Sequence, residues 1–196
     1  DKIIRNMDGT SFAEKLTGRA FTGSYRRGKY LFSLLDNGHD VLLHFGMTGD
    51  LKYYEAKEDR PKHERFAFHF ENGFRLGFDC PRKFARILYL EDREAYIREI
   101  NLGPDALEIH LDDFLAKTKG RTTSIKGFLL NQKYLAGMGN LYADEVCYQT
   151  QVHPASLVGK IPKKKLAELF HKMQEVLHYA IDRNAYYNDY PADWLW

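Results

Sequence analysis

The 196-residue chain lacks the features that mark disulfide-rich and membrane-spanning proteins. It contains two cysteines, Cys80 and Cys147, which lie far apart and are too few for a four-cysteine zinc site. No apolar run reaches the length of about 20 residues that a membrane-spanning helix requires. No signal peptide is visible, and the first residue is Asp1 rather than Met, so we expect a trimmed N-terminus. These absences favour a cytoplasmic protein with buried free thiols.

The chain also lacks a strong charge of one sign, since 29 Lys and Arg stand against 27 Asp and Glu. A net charge of +2 gives no dominant field, so any surface for a nucleic acid has to be a local patch. Basic residues cluster at 26–29, 82–86, 117–126 and 163–165. Each cluster alone is typical of a solvated face, but the first three flank turns or strand ends, as suits contacts to DNA phosphates.

Hydrophobic periodicity divides the chain into a strand-rich first part and a helical second part. Apolar and polar residues alternate up to about residue 90, with a hairpin loop at Asp36-Asn-Gly-His39. Ser11 and Glu14 form a capping-box pattern that predicts a short helix beginning at Ser11. A long amphipathic helix is predicted after Pro162, ending near residue 182.

These elements predict an α+β fold in which an antiparallel β-sandwich precedes a helical domain. We assign residues 1–92 to the sandwich, truncated at its start, and residues 93–185 to the helical domain. Residues 186–196 are aromatic and irregular, and we interpret them as a tail or a linker to a further segment.

A glycine turn in the helical part predicts a phosphate site. Residues 137–145 read Gly-Met-Gly-Asn-Leu-Tyr-Ala-Asp-Glu, and Asn140 stands where the N-cap of a helix is expected. Backbone N–H groups and the positive end of the helix dipole at such a position favour a phosphate. A helix start without a ligand has the same pattern, so this interpretation depends on the rest of the sequence.

Several ordered blocks together resemble the Fpg/Nei family of DNA glycosylases, in particular its formamidopyrimidine-DNA glycosylase branch. These blocks are Arg26–Leu31, His44–Gly49, Cys80–Phe84, Leu102–Asp105, Ile125–Asn131, Leu135–Glu145 and Val152–Pro154. The last three resemble the family's helix–two-turn–helix (H2TH) motif. The resemblance runs from about residue 25 to about residue 182, and the order of the blocks makes it specific.

The resemblance implies a base-excision-repair DNA glycosylase and AP lyase that removes oxidised purines, such as 8-oxoguanine and formamidopyrimidines, from duplex DNA. It implies a nucleoid-associated monomer whose partner is double-stranded DNA with oxidised purines or abasic sites, and no membrane. One alternative is a non-catalytic damaged-DNA-binding module derived from that family. Another is an H2TH protein of ribosomal or topoisomerase type, which the strand-borne blocks disfavour.

Three residues match the family positions that act on the DNA stack. Enzymes that work on a base take it out of the duplex, and the space it leaves has to be filled. The resemblance places Met47 where it fills that space, Arg82 where it reads the orphan base and Phe84 where it wedges the stack. Met47 and Phe84 would otherwise be interpreted as core residues.

The resemblance places Lys29 at the position of the proton donor for β-elimination, although a surface lysine is the alternative. Further residues match positions that contact DNA: His44, His63, Arg121, Lys126, Gly139 and Asn140. His44 lies on an apolar strand and could equally be a hydrogen-bonded core histidine.

The chain departs from the family pattern in three places. It has no Pro-Glu opening to supply the amine nucleophile, so we expect the chain as it stands to be inactive. It has no C-terminal zinc finger, so one zinc ion is expected outside this chain and no cofactor within it. Cys80 stands where family members often have Asp, which puts the hydrogen bonding around Arg82 in doubt.

One possible metal pattern is interpreted as a solvated face. Glu168, His171, Glu175 and His178 have the spacing of two Glu-x-x-His pairs on one helix face. The apolar residues of the same helix fall on its opposite face, so we expect the four side chains to face water and to bind no metal.

Overall fold

The structure is a computed structural model that describes residues 3–195, so the two ends of the chain lie outside it. It contains two compact units, unit 1 (Asp1–Ile97) and unit 2 (Arg98–Trp196). The sequence placed this boundary at 92/93. The elements are α1 (Gly9–Leu16), β1 (Phe21–Arg27), β2 (Tyr30–Leu35), β3 (Asp40–His44), β4 (Asp50–Glu55), β5 (Glu64–His69), β6 (Phe74–Asp79), β7 (Arg86–Leu90), α2 (Arg93–Glu99), α3 (Leu111–Thr118), α4 (Ile125–Leu130), α5 (Asn140–Gln149) and α6 (Lys163–Asp182).

Unit 1 is a sandwich of two antiparallel sheets, as the sequence predicted. One sheet has the order β1-β2-β3-β7 and the other the order β4-β6-β5. Inward residues such as Val41 and Leu43 on the first sheet and Phe68 and Phe78 on the second form one core cluster. Burial of these apolar side chains, at about 25 cal/mol per Å², supplies the main stabilisation of the unit.

Two tight hairpins in unit 1 position residues of the candidate site. Gly28 and Lys29 form the two-residue turn between β1 and β2, and Gly28 has a φ of +58°, which suits glycine at the first turn position. The predicted loop at residues 36–39 joins β2 to β3, as expected from its Asn-Gly pair. Lys29 therefore lies at the tip of a tight two-residue hairpin.

The start of α1 differs from the prediction. The helix begins at Gly9, and Asp8 is the N-cap, with its carboxylate accepting from the N–H groups of Thr10 and Ser11. The predicted cap at Ser11 is wrong because the Asp8 carboxylate already satisfies the orphan N–H groups one turn earlier.

Unit 2 is helical and has its own core. The largest buried cluster includes Phe114, Phe128, Leu129, Leu169 and Met173. The long helix α6 matches the predicted bounds, and its predicted polar stripe is exposed at Glu168, His171, Glu175 and His178. None of the helices within residues 3–195 is both long and apolar enough to cross a membrane.

The segment after α6 packs onto unit 2. Tyr190 is buried and its hydroxyl lies 2.9 Å from the hydroxyl of Tyr142 on α5. The N–H of Leu195 donates to the buried carboxylate of Glu145, also on α5, over 2.9 Å. Trp194 packs against the core cluster of the unit. The described part of the aromatic segment is therefore packed against α5 and the core.

Both cysteines are buried free thiols, as the sequence predicted. Burial, with the nearby carboxylate of Asp144, raises the pKa of the Cys147 thiol to about 11. A thiol with so high a pKa carries almost no reactive thiolate near pH 7, which supports a structural interpretation.

Candidate nucleic-acid interface

Two loops of unit 1 are packed against each other through a glycine. Gly46 lies in the loop between β3 and β4, has a φ of +65°, and faces the main chain of Phe84 in the loop between β6 and β7. A Cβ added at Gly46 would come within 2.8 Å of the Phe84 carbonyl carbon. The N–H of Gly49 closes the first loop by donating to the carbonyl of Phe45 over 2.9 Å. Only glycine permits this contact.

Met47, Arg82 and Phe84 lie on these two loops, and we refer to them as the exposed cluster. Met47 is 69% exposed and Phe84 is 52% exposed, so neither is a core residue. The guanidinium of Arg82 lies over the Phe84 ring, 5.4 Å from its centroid. Large apolar side chains held in water on tight loops are typical of a surface that inserts into a partner.

The loop of Arg82 and Phe84 is tied to the start of β5. The N–H of Cys80 donates to the carbonyl of His63 over 3.0 Å, and the Nε of Arg65 donates to the carbonyl of Cys80 over 3.3 Å. Sequence reasoning missed Arg65, because nothing local shows that its side chain reaches a residue 15 positions away. His63 is therefore placed next to this loop by its main chain.

His44 supports the loop that carries Met47. Its Nδ1 accepts from the N–H of Gly46 over 3.1 Å, and its ring packs edge-on against Tyr30. Burial first, and then the charges of Arg86 and Lys29, lower the pKa of His44 below its usual value. The ring is therefore neutral near pH 7, and it has a structural role as the acceptor for the Gly46 N–H.

The amine of Lys29 has a lowered pKa although the residue is exposed. The side chain is exposed at the tip of the β1–β2 hairpin, yet neighbouring protein atoms lower the pKa of its amine by desolvation. Efficient proton transfer needs a pKa near the working pH. The lowered pKa of the Lys29 amine is therefore a shift that favours proton donation.

The glycine turn of unit 2 differs from the prediction at its cap. Gly139 is the N-cap of α5 and Asn140 is the first helical residue, so Asn140 does not cap the helix. The turn is held instead by Gln132, which sequence reasoning missed. Its Oε1 accepts from the N–H of Gly137 over 3.0 Å, and its Nε2 donates to the carbonyl of Met138 over 3.0 Å. Gln132 therefore fixes the turn, while Gly139 takes the N-cap position that we had given to Asn140.

Two predicted DNA-contact residues of unit 2 have partners within the protein. The amine of Lys126 forms an ion pair with Asp144 over 2.7 Å, which joins α4 to α5. The guanidinium of Arg121 stacks on the Tyr134 ring at 3.8 Å, and its Nε donates to the carbonyl of Lys117 over 2.6 Å. These contacts orient both cations while leaving them half-exposed.

Possible metal ligands do not gather in the part of the chain that the structure describes. Within residues 3–195, no group of three or more His, Cys, Asp and Glu side chains is placed to hold a metal ion. The two cysteines lie in different units. A zinc ion of the kind the resemblance implies would need ligands other than these.

Comparison with known proteins identifies the family. The model of the formamidopyrimidine-DNA glycosylase N-terminal domain matches residues 1–87, and that of the formamidopyrimidine-DNA glycosylase H2TH domain matches residues 102–189. A formamidopyrimidine-DNA glycosylase of Herpetosiphon aurantiacus is 34% identical over 183 residues, which cover 92% of this chain and 67% of the relative. The chain belongs to the formamidopyrimidine-DNA glycosylase family.

Other members of the family match over a similar span. The formamidopyrimidine-DNA glycosylase of Solibacter usitatus is 35% identical over 92% of this chain and 66% of its own length. The chain thus spans about two thirds of the length of these relatives. The Lactococcus lactis FPG, solved in complex with a FAPY-dG containing DNA, superposes with a TM-score of 0.83 at 26% identity, covering 88% of this chain and 66% of that one. The predicted sandwich followed by an H2TH domain is confirmed.

The contact between Gly46 and Phe84 predicts a specific loss of stability. In Gly46→Ala, the methyl group would meet the Phe84 main chain and the residue would keep a left-handed φ. Gly38→Ala is the matched control, because Gly38 has a φ of +81° and open space around it. We expect Gly38→Ala to lose about 1–2 kcal/mol and Gly46→Ala to lose more, measured by urea unfolding. Equal losses would show that the loop contact contributes nothing.

The lowered pKa of His44 predicts a pH-dependent stability. The neutral, half-buried His44 ring stabilises the fold fully above the unfolded pKa of about 6.5, and this contribution is lost as the pH falls towards the lower folded pKa. His44→Asn keeps an acceptor for the Gly46 N–H but does not titrate. We therefore expect the free energy of unfolding to fall less steeply in His44→Asn than in the wild type between about pH 7.5 and 5.5.

The control for that measurement is His171→Asn, which removes a histidine from an exposed position on α6. If both variants flatten the pH dependence equally, the effect does not come from the environment of His44.

Proposed function

We propose that this chain is the damaged-DNA-binding portion of a base-excision-repair glycosylase and AP lyase that acts on oxidised purines in duplex DNA. The observation that supports this most directly is the exposed cluster. Two large apolar side chains, Met47 and Phe84, stand in water on loops that are packed together, with Arg82 beside them.

The exposed cluster has the chemistry that base extrusion requires. Separating one base step costs a few kcal/mol, and an inserted apolar side chain offsets part of that cost. Phe84 would enter the stack, Met47 would fill the space left by the extruded nucleotide, and Arg82 would donate to the orphan base. A base-edge contact by arginine is worth about 1–3 kcal/mol of discrimination, so Arg82 sets the preference for the opposite base.

The half-exposed cations and the glycine turn of unit 2 would hold the DNA backbone. The N-terminus of α5 begins at Gly139 and Asn140, where free N–H groups favour a phosphate. Lys126 is paired with Asp144, but a half-exposed ion pair contributes only about 1 kcal/mol or less, so a phosphate competes for Lys126 at small cost. Arg121 lies over the Tyr134 ring, uses its Nε to donate to Lys117, and has further guanidinium N–H groups for a phosphate. Contacts of this kind set position and carry no base identity.

Lys29 is the residue to which we assign proton donation during strand cleavage. Partial desolvation lowers the pKa of its amine at the tip of the β1–β2 hairpin, and His44 is close enough to be affected by its charge. His44 and His63 would then contact phosphates near the lesion while holding the loops described above. The roles of these residues stay predictions.

The second candidate function is a binding module that does not cut DNA. The observation that favours it is that none of the six prolines of the chain is followed by Glu. We propose that these 196 residues alone bind lesion DNA without releasing a base. Borohydride reduction on duplex DNA with an 8-oxoguanine should therefore yield no covalent adduct. An adduct would mean that Lys29 or another amine acts as the nucleophile.

The role of Phe84 is tested by base unstacking, which needs binding but no catalysis. The substrate is a duplex with a stable abasic-site analogue and 2-aminopurine beside the orphan base. We expect binding of the chain to raise the fluorescence, and Phe84→Ala to remove most of this rise because no side chain enters the stack. With the same sequence as a single strand, little stacking has to be broken. We therefore expect Phe84→Ala to reduce the binding affinity for the single strand much less than for the duplex.

Tyr148→Ala is the matched control, because Tyr148 is 53% exposed on α5 and lies outside the exposed cluster. It should behave as the wild type in the same assay. If Phe84→Ala lost the same binding affinity for the duplex and for the single strand, with its circular dichroism spectrum unchanged, the wedge role would be overturned.

A further inference from the structure

A basic cleft in unit 1 lies outside the residues assigned so far. It has a volume of about 370 Å³ and is lined by Arg5, Arg86, Leu88 and Tyr96. Both arginines are exposed. Neither guanidinium has an ion-pair or hydrogen-bond partner within residues 3–195. The cleft therefore presents two uncompensated positive charges.

The lack of a partner distinguishes these arginines from others of the same unit. Arg19 lies 3.9 Å from Asp36, Arg60 lies 3.0 Å from Glu64, and Arg93 lies 3.1 Å from Asp40. Two like charges lining one cleft repel each other unless an anion joins them. The arrangement is therefore one that an anion would stabilise.

Backbone hydrogen bonds bring the two arginines to the same edge of the sheet. The N–H of Arg5 donates to the carbonyl of Ile87 over 3.1 Å, and the N–H of Ile87 donates to the carbonyl of Ile3 over 2.8 Å. Arg86 is the neighbour of Ile87 and the first residue of β7. A parallel bridge between Ile4 and Ile87 thus brings Arg5 beside the start of β7, and both arginines line the cleft.

The cleft adjoins residues that the proposed function uses. Arg86 is the direct cross-strand partner of His44, and it follows Phe84 by two positions. The charges of Arg86 and Lys29 both act on the His44 ring. Arg86 therefore lines the basic cleft and also neighbours His44, on which the charge of Lys29 acts as well.

We propose that the cleft binds a phosphodiester of the DNA backbone, next to the nucleotide on which Lys29 acts. Guanidinium groups match phosphate oxygens with paired N–H donors, and the apolar faces of Leu88 and Tyr96 suit the adjoining deoxyribose. The phosphate joins Arg5 to Arg86 and so connects the N-terminal segment to β7. This inference rests on the proposed function, since it takes damaged DNA as the ligand.

Salt dependence of binding tests the cleft directly. Each cation that neutralises a phosphate of duplex DNA adds about 0.9 to the slope of log affinity against log salt. Arg5→Gln and Arg86→Gln should each reduce the slope by about one, and the double variant by about two, on a duplex with an abasic-site analogue. Arg19→Gln is the matched control, because Arg19 is an exposed arginine of the same unit that already has a carboxylate partner.

The outcomes separate this inference from the proposed function. If the wild-type chain binds the lesion duplex no better than undamaged DNA, the proposed function fails. If it prefers the lesion duplex but the double variant keeps the full slope, the cleft proposal is overturned and the function stands. If inorganic phosphate at matched ionic strength displaces DNA from the wild type but not from the double variant, phosphate and DNA compete for the same cleft, as the proposal expects.

Discussion

The approach of Gly46 to the main chain of Phe84 is the constraint on which the candidate site of unit 1 depends. It joins two loops that are 38 positions apart in sequence and leaves no room for a side chain at residue 46. Met47 and Phe84 lie on these two loops and stay exposed to solvent instead of packing into the core. Interiors are close-packed, so such a contact has one arrangement and not a range of them.

Hydrogen bonds connect each of the two loops to neighbouring strand residues. His44 holds the first loop by accepting from Gly46, and its lowered pKa keeps the acceptor nitrogen free of a proton near pH 7. Cys80 ties the second loop to His63 and Arg65. Cys80 makes these contacts through its main-chain N–H and carbonyl, so they do not depend on its thiol.

The charges of the chain are distributed unevenly even though they nearly cancel. Many surface cations, such as Arg60 and Arg93, have a carboxylate partner. Within residues 3–195, Arg5 and Arg86 have no carboxylate partner, and Arg121 is oriented by an aromatic ring. A net charge of +2 therefore conceals local patches, and these patches are where a polyanion would bind.

The sequence by itself determined the elements and the family. The strands around residues 36–39, the helix after Pro162 and the ordered blocks could be predicted because periodicity, turn residues and caps act over a few neighbouring positions. Only the tertiary structure decided that Gly139 caps α5 in place of Asn140, that Gln132 holds the preceding turn, and that Arg5 and Arg86 line one cleft. Each of these depends on contacts between residues distant in the chain or on competition between nearby caps, and local propensity does not contain that information.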